Sequence, residues 1–96
     1  MTSNQTLLLD TITTALREKE ATEFEYLWEW VYLHPSQSIS IKEEMIHSEY
    51  PLPSDYNLED LERLAGLGYF EKLDETRKGE PFHEIKVTYK LREYVS

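Results

Sequence analysis

"EFEYLWEWVYLH", residues 23–34, is the densest aromatic stretch of the chain, and its periodicity decides what the rest folds around. Thr22 stands three residues ahead of Glu25. That is the spacing of a capping box, in which a hydroxyl and a carboxylate each satisfy a free amide at a helix start. Phe24, Leu27, Trp28 and Val31 then share one helical stripe. The spacing predicts a helix over 23–34, halted at "HPSQS" because Pro35 supplies no amide and disfavours helix in the residue before it. Tyr26, Trp30 and Leu33 fall on an adjacent face. One helix in a small core does not bury both stripes, so either another element covers the second or a partner does.

Outward from this stretch the same cues recur. Thr2 ahead of Gln5 predicts a helix over 3–18, with Leu9, Ile12 and Leu16 on one stripe and Leu8 beside it. Ser40 ahead of Glu43 predicts another over 41–49, ended by the turn residues "PLPSD". A helix starting at Ser54 or Asn57 buries Leu58, Leu61 and Leu64 or Ala65, and Gly68 ends it in the left-handed conformation. "YFEKLDE" reads as a strand and "TRKGEP" as a turn. "EIKVTYKLR" alternates Ile85, Val87, Tyr89 and Leu91 with Lys86, Thr88, Lys90 and Arg92, the mark of a half-buried strand.

The 96 residues suit one compact core. Without cysteine, the chain has no disulfide, thiolate metal site or cysteine nucleophile. Its apolar runs are too short for a membrane span and its start lacks the pattern of a signal peptide, so a cytoplasmic protein without membrane contact is expected. The net charge of −9 is uneven: residues 1–65 hold only Arg17, Lys19, Lys42 and Arg63 as bases, whereas the C-terminal third is balanced.

The order helix, short extended "SIS", helix, proline turn, helix, hairpin over residues 22–92 resembles the winged helix-turn-helix superfamily. "LERLAGLGYFEKL" and "VTYKLRE" carry most of the resemblance. It implies an α+β winged helix, a three-helix core with a C-terminal β-hairpin wing, plus an extra N-terminal helix. Residues 1–20 would be that covering or dimerisation helix and 21–96 the winged-helix domain. By the same resemblance 54–66 is the recognition helix and Thr76 to Phe82 the wing tip. Such a helix reads bases and phosphates with cationic and amide side chains. Here Asp55, Tyr56, Glu59 and Glu62 accompany Arg63, and carboxylates forfeit the counterion release on which nucleic-acid affinity rests.

No catalytic constellation is present. The many acids form no recognisable pair, and "GLGYFE" lacks the third glycine of a dinucleotide loop. Glu44 and His47 form half of a di-iron motif whose other half is missing, so neither a metal nor a cofactor is expected. The sequence therefore points to a non-enzymatic regulatory module that binds a protein partner of basic character. Tyr26, Trp30, Asp55, Tyr56, Glu59 and Glu62 are the candidate contacts. The alternative is a dimeric DNA-binding regulator using Arg63, Arg77 and Lys78, and a third reading is an acidic mimic of nucleic acid. Leu8, Leu9, Ile12 and Leu16 are the candidate dimerisation residues.

Overall fold

The computed structural model describes residues 1–31, 33–79 and 83–92, with the Val31 side chain outside that description. It contains two helices and five strands: α1 (Ser3–Glu18), β1 (Glu23–Val31), β2 (His34–Ile41), β3 (Glu44–Met45), α2 (Leu58–Gly66), β4 (Phe70–Lys78) and β5 (Glu84–Leu91). The strands form one antiparallel sheet in the order β3-β2-β1-β5-β4. The α+β winged-helix reading is thereby overturned, because the described residues form no three-helix core and no recognition helix set against a separate wing. The apparent wing supplies two of the five strands of the main sheet, and its returning strand β5 pairs along nearly all of β1. Residues 80–82, the end of the expected wing tip, and Glu93 lie outside the described residues.

The correction starts at 23–31. Phe24, Tyr26, Trp28 and Trp30 alternate with Glu23, Glu25, Leu27 and Glu29, which is also the period of a strand with one buried face. Aromatic residues fit a pleated surface, and strands β2 and β5 on either side of β1 satisfy its backbone. Thr22 and Glu25 therefore cap nothing. Pro35 belongs to β2, opposite Trp30. By alternation it has the same parity as Ile39, whose carbonyl accepts from Ile46 on the outer side. The missing amide of Pro35 thus falls on the outer edge beyond the short β3, where no ladder bond is lost.

The helix expected over 41–49 is replaced by a tight turn. Lys42 and Glu43 take positive φ values of 53° and 68°, the pattern of a two-residue hairpin turn joining β2 to β3. Ile39 and Ile41 point inward while Ser38 and Ser40 lie on the opposite face of the sheet.

Both helices follow their local signals. At α1 the Thr2 hydroxyl accepts from the Gln5 amide at 3.1 Å and the Gln5 side chain accepts from the Thr2 amide at 3.0 Å. Asn57 and Asp60 form the same reciprocal box at α2, at 3.1 Å each way. The α2 helix ends in a Schellman motif: Gly68, at φ 93°, donates to the Ala65 carbonyl, and Tyr69 donates to that of Leu64.

The acid on α2 has a structural explanation. Glu59 and Asp60 occupy its first turn, where a carboxylate interacts favourably with the partial positive charge of the helix start. Asp60 also accepts from the Gln5 side chain at 3.1 Å, tying α2 to α1.

Both helices pack on one face of the sheet. Leu8, Ile12, Ala15 and Leu16 of α1 join Leu61 and Leu64 of α2, over Phe24, Tyr26, Ile39, Ile41, Phe70, Val87 and Tyr89, in a single core. Phe24 is its aromatic hub, edge-on to Phe70 at 4.9 Å and stacked on Tyr89 at 5.4 Å. Residues 1–20 and 21–96 thus share one core. Of the candidate dimerisation residues, Leu8, Ile12 and Leu16 are fully buried within the protomer, where they close its own core, and Leu9 is half-buried.

Candidate binding groove

The helices are shorter than the sheet is long. The pairs Val31–His34 and Lys78–Glu84 lie at the same end of the sheet, where the Trp30 amide donates to the His83 carbonyl at 3.0 Å. Along the inner side of β1 exposure rises toward that end: Phe24 and Tyr26 are buried, Trp28 is half-buried and Trp30 is 46% exposed. The uncovered part is a groove of about 850 Å³ running from β2 across to β4, with the start of α2 as one wall. Its floor is Tyr26, Trp28 and Ile85, and Leu58 lines the helix side. Trp30 stands next to it, its ring centre 6.5 Å from that of Trp28.

An irregularity in β4 builds the charged wall. In a regular strand Lys72 and Glu75 would face opposite sides of the sheet, because their separation is odd. Lys72 pairs with Tyr89 and Asp74 with Thr88, so Leu73 is an extra residue, a bulge. Lys72, Glu75 and Arg77 consequently all line the groove. Lys72 donates to Glu62 at 2.9 Å and to Glu75 at 3.1 Å, and Arg77 Nε donates to Glu75 at 3.2 Å. These bonds raise the pKa of Lys72, with Glu62 the larger cause, and lower that of Glu75, with Lys72 the larger cause. Lys72 and Glu75 are therefore both charged at neutral pH. Glu59, also on the wall, has no cation within salt-bridge distance among the described residues.

Polar groups beneath the groove are nearly all paired. Tyr26 Oη donates to Gln37 Oε1 at 2.7 Å, and Gln37 donates in turn to the Tyr56 carbonyl. The Tyr89 hydroxyl is the exception, buried with no hydrogen bond of standard geometry among the described residues, although Glu62 lies close enough to act on it. Burial first, then the carboxylates of Glu62 and Glu75, raises its pKa. Burial pushes Tyr26 up to about 12 and moves Tyr56 higher still. Tyr50 also reaches about 12, chiefly through its hydrogen bond to Glu18.

These directions fix a pH dependence. A phenol whose folded pKa exceeds its usual 10.0 contributes stability that is fully present below pH 10 and lost as pH rises through the folded value. In an alkaline titration followed by phenolate absorbance, Tyr26, Tyr50, Tyr56 and Tyr89 should remain protonated above pH 10 and ionise only as the chain unfolds near pH 12. A single smooth transition of every tyrosine at the usual value would contradict the burial described here.

The residues singled out from sequence divide. Tyr26, Glu59 and Glu62 line the groove and Trp30 adjoins it, whereas Tyr56 is buried edge-on to Tyr26 and Asp55 is exposed outside the groove lining. Trp28, Gln37, Leu58, Lys72, Glu75, Arg77 and Ile85 also line it, together with Pro35, Ser36 and Asn57. The alternation in 23–30 is the signal that places Trp28 beside Tyr26. The three bases of the DNA reading do not form one surface. Arg77 is in the groove with Glu75, Lys78 is on the opposite side of the sheet 3.5 Å from Glu84, and Arg63 is exposed on α2 outside the groove lining. Glu44 and His47 are both exposed, and among the described residues no group of three or more His, Asp or Glu is placed to hold a metal. No described helix is long and apolar enough to cross a membrane. Neither family models, nor curated proteins, nor solved structures give a match to this chain.

Proposed function

We propose that the chain is a non-enzymatic regulatory module that binds a protein partner through the groove between α2 and the uncovered end of the sheet. One observation carries the reading: the sheet runs past its helices and leaves Trp28, Trp30, Ile85 and Leu58 incompletely covered, inside a rim of charged residues. Aromatic ground within a polar rim is the anatomy of a protein-binding hot spot. The shifted carboxylate of the groove, Glu75, is held ionised by Lys72 and Arg77, which suits a fixed binding charge better than proton transfer.

Site-specific photocrosslinking tests this reading. A photoreactive residue at position 30 or 59 should form nuclease-resistant protein adducts in lysate of the native source, and the same residue at Thr88, on the opposite side of the sheet, should not. Adducts from position 88 alone, or adducts that nuclease removes, would overturn it.

A further inference from the structure

We propose that the groove recognises its partner through an arginine or lysine side chain flanked by apolar residues, the cation seated between Trp28 and Glu59. This rests on the reading of the groove as a protein-docking surface and names the chemistry of what docks.

The lining contains three acids, Glu59, Glu62 and Glu75, and two bases, Lys72 and Arg77. Both bases are already engaged, Lys72 by two carboxylates and Arg77 by Glu75. An incoming anion would face three carboxylates and find each cation paired. An incoming cation meets Glu59 on the wall at the first turn of α2, with no cation within salt-bridge distance of it among the described residues. Trp28 supplies the other half of the site. A cation within about 6 Å of an indole face is attracted by the negative face of the ring, and a guanidinium also stacks there. Leu58 and Ile85 offer apolar contact on either side of the charge. The net charge of −9 draws a basic segment toward the chain from a distance.

The test uses the full chain and three short capped peptides: one alternating Arg with Leu, one with Glu in place of Arg, and one with Ser in place of Leu. Binding is followed through tryptophan emission and backbone amide shifts. The Arg–Leu peptide should bind and perturb Trp28, Glu59 and Ile85, with affinity falling as salt is added. Both substituted peptides should bind at least about tenfold more weakly. Glu59→Lys should reduce binding by a similar factor. Glu25→Lys makes the same charge change on the opposite face of the sheet and should leave binding within about twofold. Amide spectra of both variants show whether the fold is kept, and Glu59→Gln should give an intermediate loss.

Equal binding of the Arg and Glu peptides, equal effects of the two lysine variants, or no binding of any peptide would overturn the cation site. So would displacement of the Arg–Leu peptide by duplex DNA. If crosslinks from position 30 to a protein persist in any of these cases, the docking surface stands and only its chemistry is refuted; if they too are absent, both fail.

Discussion

Replacing Tyr26 by Ala should cost about 3–5 kcal/mol, as for other large buried aromatics, and should exceed the cost of Leu27→Ala, expected at about 1–2 kcal/mol. Tyr26 is 1% exposed and its hydroxyl holds Gln37, so its loss leaves both a cavity and an unsatisfied amide. Leu27 lies on the opposite side of β1, half-buried among neighbouring strands. For a domain of this size each kcal/mol lowers the melting temperature by roughly 4–8 °C. Thermal melts of the two variants therefore separate clearly. In a helix over 23–34 the order would be reversed, because Leu27 would sit in the core stripe and Tyr26 outside it. A larger loss for Leu27 would contradict the strand.

A chain beginning at residue 21 should not fold. Leu8, Ile12 and Leu16 are fully buried by α1, and burial of three such side chains contributes roughly 5–9 kcal/mol. That is comparable to the whole stability of a small domain, about 5–15 kcal/mol. A winged-helix core would close without this helix; the sheet does not, because Phe24, Ile41 and Tyr89 lie in the same core. Circular dichroism and amide spectra of residues 21–96 should show a disordered or aggregating chain. A cooperative melt with dispersed amide signals would show that α1 is dispensable.

Where local chemistry alone specifies an element, the sequence discloses it. The capping box of Thr2 and Gln5, the start at Asn57, the stop at Gly68 and the alternation over 85–91 all correspond to structure. Residues 23–31 fit two periods at once. The helical stripe of Phe24, Leu27, Trp28 and Val31 competes with the alternation of Phe24, Tyr26, Trp28 and Trp30, and a spurious capping box at Thr22 tips the local balance toward helix. What decides the matter is β5, more than fifty residues away, a nonlocal partner that propensity does not register. The turn at Lys42 and Glu43 lacks the Asn or Gly that normally announces positive φ, and the bulge at Leu73 has no glycine to mark it. The groove depends on that bulge, on the register of four strands and on where α2 begins. Tyr26, Glu59 and Glu62 are readable as candidates, but their convergence with Trp28, Lys72 and Glu75 is a property of the sheet.

Residues 23–31 form the middle strand of this sheet, with Tyr26 and Trp28 directed toward the helices. Proton–proton contacts in solution by nuclear magnetic resonance test it most directly. In an antiparallel sheet, Hα atoms come close across the pairs that do not exchange hydrogen bonds. The donation from Trp30 to His83 fixes the parity: those close pairs are Leu27 with Lys86 and Glu25 with Thr88 across β1 and β5, and Tyr26 with Ile39 across β1 and β2. Strong Hα–Hα cross-peaks are expected at these three pairs. Sequential amide contacts through 23–31, with three-residue helical contacts from Phe24 to Leu27 and no cross-strand peaks, would contradict it.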